Sequence, residues 1–334
     1  MNTEWHYYYK HKNINAVSVF QILDKVISAH SYNILVMSAV DIAVKAFREL
    51  EPEDLKILQA IEQQMKNYEY TPIDTIQKQT ELSLSEINYR LPCLIKKGLM
   101  QGRHKKYTGY SLTTGGHDAL AINVLVKADI IEAFGKSLGV GKESDVYDAL
   151  TPKGKRVVLK FHRVGRTSFK KTKLKRNYTV KYNYTPDWHH QSRIAAKKEY
   201  IALKLLHPKG VSVPEPIKQV HHVVVMSMIE GTELYHYQEI PNTQSIYNEI
   251  LTNIKKAYQD VNMIHGDLSP FNIIIQPNQH ILIIDWPQNI RAEHPNAEEL
   301  LERDIRNVFT FFQRKYGLEN SLQDAIAYVR AKKC

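Results

Sequence analysis

The sequence predicts an α+β protein in which a small helical domain ending in a β-hairpin precedes a larger domain with a strand-rich and a helix-rich lobe. Three observations support this prediction. Between Pro52 and Tyr68, apolar residues recur at steps of three and four, the period of an amphipathic helix. The segment LGVGKESDVYDAL, at 138–150, places glycines ahead of a strand-like run. Two more strand-like runs, around 272–285, interrupt a mostly helical C-terminal region.

The composition is that of a globular protein without membrane spans. The chain has 334 residues, of which 43% are apolar and 24% charged, and this length suits two or three domains. No apolar run approaches the roughly 20 residues of a transmembrane helix, and no signal peptide pattern opens the chain. The two cysteines, Cys93 and Cys334, form neither a disulfide framework nor a metal-ligand pattern. We therefore expect a cytoplasmic protein that does not associate with membranes.

Positive charge is concentrated in one segment. Lys and Arg exceed Asp and Glu by 10 over the chain, and the run from Lys160 to Lys181 holds nine Lys or Arg residues and no Asp or Glu. Phosphate groups would neutralise such a run, which favours a nucleic-acid partner. A solvated basic loop that contacts nothing is the alternative.

The N-terminal third predicts a winged helix after an extension. Residues 1–40 show no clear period, and 1–36 are expected to be poorly ordered. A second helix is predicted near 72–80. Ser83 and Glu86 form a capping-box pair before a third helix that Gly98 ends.

The hairpin after the third helix carries four basic side chains. These are Arg103, His104, Lys105 and Lys106. Three helices and a basic hairpin are the layout of a winged helix-turn-helix, with the third helix in a groove and the hairpin on phosphates. Pro92 should kink that helix, and a purely protein-binding role stays open. A further helix is predicted over 113–134.

The glycine segment fits neither of two common nucleotide-binding motifs. A Walker A loop needs a hydroxyl where Glu143 stands and a glycine where Lys136 stands. A dinucleotide fingerprint needs a third glycine where Ser144 stands, and a helix where DVYDAL predicts a strand. A strand-loop-strand cover of the protein-kinase type remains.

Other kinase-like groups stand at suitable distances from this loop. Lys160 ends the apolar run VVL, 19 residues after Gly141, where a kinase holds the α- and β-phosphates. Glu199 lies in a helix predicted over 191–206, from which a glutamate can position that lysine.

The strongest signal is HGDLSPFN, at 265–272. Asp267 and Asn272 have the D-x-x-x-x-N spacing of a phosphotransferase, with the carboxylate for the incoming hydroxyl and the amide oxygen for a metal. Asp285 follows the apolar strand ILII and is placed to bridge Mg²⁺ to phosphates.

These motifs resemble the RIO family of atypical serine/threonine kinases, in its second, winged-helix subfamily and with an archaeal-type length. The resemblance covers roughly 45–330 and includes GVGKESDVY, VLKFHRVGRTSFKK, VMSMIEGTELY, HGDLSPFN and IIDWPQ. It implies a winged helix followed by a minimal bilobal kinase-like domain. The domain boundaries would be an extension over 1–40, a winged helix over 41–115, a linker helix over 116–134, an N-lobe over 135–229 and a C-lobe over 230–334.

The resemblance also implies roles for individual residues. ATP would be bound with Mg²⁺ or Mn²⁺, which Asn272 and Asp285 would hold. Asp267, Asp285 and Lys160 would be catalytic, and Asp285 would be able to carry an aspartyl-phosphate. The nucleotide would contact a further set of residues on the loop, the helix and the segment behind adenine, namely Val140, Lys142, Ser144, Lys160, Glu199, Met226, Met228 and Ile229.

The resemblance finally implies a role in late maturation of the small ribosomal subunit. A monomer acting as kinase or ATPase would dock on the precursor particle, on rRNA or a ribosomal protein, through its winged helix and the basic loop 160–181. Thr167 and Ser168 in that loop would be autophosphorylation candidates. A small-molecule phosphotransferase of the choline or aminoglycoside kinase type is the alternative, since HGD…N occurs there too. Two departures from the family pattern, Trp286 after the metal aspartate and Pro270 in the catalytic loop, remove no reactive group.

Overall fold

The computed structural model describes residues 38–104, 107–164 and 188–331. The predicted extension therefore lies outside the described residues up to position 37. So do Lys105 and Lys106 of the hairpin, and all of the basic segment after Val164, with Thr167 and Ser168.

The chain divides into two compact units. Among the described residues, the first unit reaches Lys136 and includes Ala149–Gly154, and the second contains Ser137–Asp148 and continues from Lys155.

The described part of the first unit combines five helices with a three-stranded sheet. The helices are α1 (Ala39–Phe47), α2 (Pro52–Gln64), α3 (Ile73–Thr80), α4 (Leu84–Lys96) and α5 (Thr114–Lys127). The strands are β1 (Thr71–Pro72), β2 (Met100–His104) and β3 (Thr108–Leu112), in the antiparallel order β1-β3-β2. This is the predicted arrangement of helices followed by a hairpin.

Local sequence explains where these helices begin. The hydroxyls of Ser38, Ser83 and Thr113 each accept a hydrogen bond from a backbone N–H of the first helical turn. Pro92 lies on the exposed side of α4, which continues to Lys96. Pro92 therefore does not end the helix, and the kink expected at this position stays a prediction.

The helix predicted over 113–134 is shorter than expected. It ends at Lys127, and β4 begins at Ala133. The residue that stops it is Asp129, whose φ of 52° is left-handed and cannot continue an α-helix. Within the first unit, α5 packs against α1.

The second unit begins with strands and ends with helices. Its five-stranded sheet has the order β4-β5-β6-β8-β7. The strands are β4 (Ala133–Val140), β5 (Ser144–Leu150), β6 (Arg156–His162), β7 (Pro216–Val220) and β8 (Val223–Ser227), with β4 and β5 starting or ending in the first unit. Helix α6 (Trp188–Leu206) packs on this sheet.

The helix-rich part carries three longer helices and short strands. The helices are α7 (Thr243–Val261), α8 (Ala297–Tyr316) and α9 (Leu322–Arg330). The strands are β9 (Thr232–Glu233), β10 (Met263–Ile264), β11 (Ile273–Ile275), β12 (Ile281–Ile283) and β13 (Ile290–Arg291), paired as β12-β11-β9 and β10-β13. Apolar side chains of α7 and α8 fill the core beneath β11 and β12. No helix among the described residues has the length and apolar character needed to cross a membrane.

Candidate active site

A buried lysine stands at the centre of the candidate site. Lys160 lies on β6, whose apolar residues pair with β8, and only 9% of it is exposed. Its Nζ donates hydrogen bonds of 2.7 Å to Glu199 Oε1 and 2.7 Å to Asp285 Oδ1. Burial acts to lower the pKa of Lys160, but the two carboxylates outweigh it and raise the pKa, so the ammonium form is favoured.

Glu199 receives three donors in the same buried place. It projects from α6 and is 1% exposed. Besides Lys160, its partners are the backbone N–H of Trp286 at 3.3 Å and the imidazole Nε2 of His162 at 2.7 Å. Because a carboxylate only accepts hydrogen bonds, the Nε2 of His162 carries the proton. Burial acts to raise the pKa of Glu199, yet Lys160 and His162 hold it below its usual value.

Asp285 is the accessible end of this cluster. It follows β12, and its side chain is 43% exposed, whereas that of Glu199 is 2% exposed. Its backbone φ is 68°, a left-handed conformation that a non-glycine residue adopts at a cost of roughly 1–3 kcal/mol. Such a conformation persists only where the surrounding structure enforces it.

The backbone on both sides of Asp267 is held by one buried carboxylate. Asp304 of α8 accepts hydrogen bonds from Gly266 N at 2.7 Å and from Leu268 N at 3.1 Å. Burial raises the pKa of Asp304, although these two N–H groups act in the opposite direction. Asn307 Nδ2 also donates to the Leu268 carbonyl at 3.0 Å. The catalytic loop is therefore anchored to α8 on either side of its carboxylate.

Asn272 is oriented so that its amide oxygen remains available. The Nδ2 of Asn272 donates to the Asp267 carbonyl at 2.9 Å, and the backbone carbonyl of Asn272 accepts a hydrogen bond from Ile284 N at 2.9 Å. The side-chain Oδ1 of Asn272 and the Asp285 carboxylate are hard oxygen donors of the kind that Mg²⁺ selects. Pro270 begins the 3₁₀ turn Pro270–Asn272 that presents this amide.

Two aromatic or imidazole rings fix the neighbouring backbone. His265 Nε2 donates to the Ile284 carbonyl at 3.0 Å, and its ring centroid lies 4.5 Å from that of Trp286. Trp286 is 2% exposed and donates from Nε1 to the Ile283 carbonyl at 3.1 Å. The Trp286 ring, which departs from the family pattern, is thus accommodated in the core.

The glycine segment forms the tip between β4 and β5. Gly141 N donates to the Ser144 carbonyl at 2.8 Å, which closes the turn. A Cβ placed on Gly139 would meet no heavy atom within 4 Å among the described residues, and neither glycine has a positive φ. The fold itself does not require glycine here, whereas close approach of a ligand to the backbone would. This observation favours a phosphate-covering loop.

A buried ion pair holds the exit of that loop. Arg163 Nε donates to Asp145 Oδ2 at 2.9 Å, and both residues are at most 1% exposed. The backbone N–H of Arg163 also donates to the Glu143 carbonyl at 2.6 Å. The start of β5 is therefore tied to the end of β6, close to Lys160.

The structure links five of the predicted site residues into two groups. Lys160, Glu199 and Asp285 are in direct contact, and Asp267 and Asn272 form a second linked pair.

The remaining predicted residues lie on the loop and on or after β8. Val140 and Lys142 have exposed side chains, Ser144 is half-buried, Met226 is buried on β8, and Met228 and Ile229 are half-buried. Their contact with a nucleotide stays a prediction.

Some residues that shape the site were not predicted. His162 lies two positions after Lys160, so both face the same side of β6, and this alternation was the available signal. Asp304 interrupts the apolar face of α8 between Leu301 and Ile305, and a carboxylate on such a face needs partners.

Family models match most of the chain. A model of the RIO domain matches 145–325, and a model of the Rio2 N-terminal domain matches 47–128. The predicted fold, a winged helix followed by a RIO kinase domain, is confirmed by these matches and by the structural similarity that follows.

Named relatives agree with this result. The chain is 39% identical over 260 residues to a RIO-type serine/threonine-protein kinase Rio2 of Methanocaldococcus jannaschii, with 76% of this chain and 94% of that protein covered. It is 37% identical over 278 residues to a serine/threonine-protein kinase RIO2 of Caenorhabditis elegans. That match covers 83% of this chain but 52% of the relative, so the chain spans about half the length of that protein.

A solved structure is similar along almost the whole chain. The Rio2 kinase of Chaetomium thermophilum, in a complex with ADP, Mg²⁺ and phosphoaspartate, has a TM-score of 0.74 and 33% identity. The similarity covers 86% of this chain and 89% of that one.

Proposed function

The chain belongs to the RIO family of atypical serine/threonine kinases, in its Rio2 branch, and we propose that it transfers the γ-phosphate of MgATP at the Lys160–Asp267–Asp285 site. The observation that carries this proposal is the Lys160 ammonium, hydrogen-bonded at 2.7 Å to both a buried glutamate and an accessible aspartate. Glu199 fixes the lysine from the buried side. Asp285 keeps the lysine next to a proposed metal ligand, where phosphate oxygens would bind.

The residues of the site divide the work of in-line transfer. Lys160 binds phosphate oxygens, while Asn272 Oδ1 and Asp285 hold Mg²⁺, which neutralises charge that develops on the phosphates. Asp267 orients a serine or threonine hydroxyl, or a water, and receives its proton as the oxygen bonds to the γ-phosphorus and the bond to ADP breaks. The Asp304 hydrogen bonds keep that carboxylate in place.

Asp285 can itself be the acceptor. Its carboxylate oxygen would attack the γ-phosphorus and yield an aspartyl-phosphate and ADP, with no proton to transfer. The exposed side chain and the hydrogen bond to Lys160 support this step. Hydrolysis of the acyl phosphate would then complete an ATPase cycle.

ATP turnover tests the proposed chemistry. We expect Asp267→Ala and Asp285→Ala to lower the rate by about 100-fold or more, the usual effect of removing a catalytic carboxylate. Glu319→Ala removes an exposed carboxylate of the same unit and should leave the rate unchanged. Wild-type rates in both site variants would contradict the proposal.

Labelled ATP tests the aspartyl-phosphate. We expect the wild-type chain to acquire a label that hydroxylamine removes, and Asp285→Asn to acquire none. A label of equal yield and lability on the variant would exclude Asp285 as its carrier.

We further propose that the chain is a cytoplasmic monomer that acts in maturation of the small ribosomal subunit. The support is its membership of the family together with its net charge of +10 and its basic hairpin. Binding to precursor particles should weaken steeply with salt, because phosphate contacts release counterions. Salt-independent binding would contradict docking on rRNA.

A further inference from the structure

Two exposed aromatic rings are stacked beside the catalytic loop. Phe271 directly precedes Asn272, and its ring lies 4.1 Å from that of Tyr235, at an interplanar angle of 27°. Phe271 is 48% exposed and Tyr235 is 46% exposed. Neither ring fills the core, and aromatic side chains such as tyrosine are enriched at surfaces that bind a partner.

The Tyr235 side of this pair is held firmly. Strand β9, just before Tyr235, pairs with β11, which begins directly after Asn272. Lys315 Nζ donates to the Tyr235 carbonyl at 2.5 Å and lies 5.5 Å from the centroid of its ring. Tyr316 Oη donates to the Tyr237 carbonyl at 2.8 Å. These contacts fix the Tyr235 half of the stacked pair.

The position of these rings decides what they can contact. An acceptor hydroxyl must reach Asp267, and Phe271 lies four residues after Asp267 in the 3₁₀ turn that ends at the proposed metal ligand Asn272. In a polypeptide acceptor, the residues on either side of the reacting serine or threonine therefore pass close to Phe271. A residue next to the acceptor is the natural occupant of the ring face.

The charges nearby narrow the chemistry of that residue. The carboxylates of Asp267 and Asp285 disfavour a phosphate-bearing strand at this place. Lys315, whose Nζ lies 5.5 Å from the centroid of the Tyr235 ring, disfavours an arginine or lysine side chain at this ring. An uncharged flat ring suits both conditions and gains stacking as well as burial.

We propose that Tyr235 and Phe271 form an acceptor-docking surface that selects polypeptides in which an aromatic side chain lies within a few residues of the phosphorylated serine or threonine. This inference rests on the proposed kinase function and specifies its substrate class. The surface contributes binding of the acceptor and takes no part in ATP hydrolysis without an acceptor.

The test is a set of matched peptides. Each peptide contains one serine and one phenylalanine, and the phenylalanine is placed in turn at each position from three residues before the serine to three residues after it. The control for each peptide has alanine in place of the phenylalanine. We expect the best phenylalanine peptide to exceed its alanine control about tenfold in kcat/KM, as one stacked aromatic contact allows. Tyr235→Ala and Tyr235→Leu should reduce that ratio to below about threefold, while peptide-free ATP hydrolysis and the alanine peptide keep their rates.

The matched control variant is Tyr328→Ala. Tyr328 is an exposed tyrosine of the same unit on α9, and its loss should leave the peptide preference intact. A Tyr235 variant that lowers both peptides equally, or a wild type without preference, would overturn the inference.

Two further outcomes separate this inference from the proposed function. ATP hydrolysis without phosphorylation of any peptide would overturn the docking surface and leave the ATPase. Absence of hydrolysis in the wild type would overturn the function itself.

A nucleic acid is the alternative occupant of the rings. Binding of single-stranded oligouridine that Tyr235→Ala weakens, without any peptide preference, would overturn the inference and assign the rings to a nucleic acid.

Discussion

The two units of the molecule can be compared through two clusters, each with a basic side chain bound to several carboxylates, and the clusters differ in what their acids do. In the first unit, Arg90 of α4 donates to Glu86 at 2.6 Å, to Asp54 at 3.0 Å and to Glu51 at 2.8 Å. Burial acts to lower the pKa of Arg90, but these acids outweigh it and raise the pKa. Glu51 and Asp54 lie at the start of α2, so the cluster fastens that helix to α4.

In the second unit, Lys160 has fewer partners but a different arrangement. Glu199 is buried, whereas Asp285 is accessible and has a left-handed backbone. The Arg90 cluster contains no residue with positive φ. Both clusters contain an accessible carboxylate, Glu51 in the first and Asp285 in the second, but only Asp285 has a left-handed backbone that the surrounding structure must enforce. Backbone conformation, and not the number of ion pairs, therefore distinguishes the cluster that we propose to be functional.

The largest expected effect is that of Lys160→Met. The change leaves Glu199 buried beside His162 without its main cation, and breaking a buried pair in this way costs about 3–5 kcal/mol. We expect the second unit to lose that much stability in denaturant unfolding, and ATP turnover to disappear.

The control for this substitution is Lys155→Met, at an exposed lysine that contacts Glu215 at 3.3 Å. It should change stability by less than about 1 kcal/mol. Equal losses of stability in the two variants would show that the buried cluster stabilises the unit no more than an exposed ion pair does.

Arg90→Met should destabilise the first unit by a smaller amount. Asp54, which is 6% exposed, loses its cation, but Glu51 and Glu86 remain partly in water and can be solvated. We expect about 1–3 kcal/mol, measured by hydrogen exchange of the amides of α2 and α4. ATP turnover per folded molecule should stay within a factor of about two, and a loss as large as that of Lys160→Met would contradict the distinction between the clusters.

The pH dependence of stability should separate Glu199 from a neutral replacement. Its folded-state pKa lies below the usual 4.5, so its stabilising contribution is complete above that pH and is lost as pH falls toward the lowered pKa. The stability difference between wild type and Glu199→Gln should be constant from about pH 6 to 8 and shrink below about pH 4.5. A difference that does not change with pH would mean that the charge of Glu199 is unimportant.

The smallest expected effect is that of Glu51→Gln. The side chain is 65% exposed, and the amide can still accept a hydrogen bond from Arg90. We expect a stability change within about 0.5 kcal/mol. A loss above 2 kcal/mol would show that the first cluster depends on each of its acids.

The sequence predicts the groups that we propose to react more readily than the groups that support them. Lys160, Asp267, Asn272 and Asp285 stand at the fixed spacings of a phosphotransferase motif, and the structure brings Lys160 to Asp285 and Asn272 to Asp267. The position of Asp304 on the apolar face of α8 indicates that it needs a buried partner, but the identity of that partner depends on the packing of α8 against Gly266 and Leu268 and cannot be read from a local pattern. The end of α5 was missed for a similar reason, because Ile130 and Ile131 continue the apolar pattern although Asp129 has already left the helical conformation.

Asp285 is the proposed functional end of the Lys160 cluster, and calorimetric titration with ADP tests this role. Wild type and Asp285→Asn should be titrated with and without Mg²⁺. We expect Mg²⁺ to strengthen binding at least about tenfold in the wild type and to have little effect in the variant, whose amide is a weaker ligand for the ion. The same Mg²⁺ dependence in both proteins would contradict the assignment.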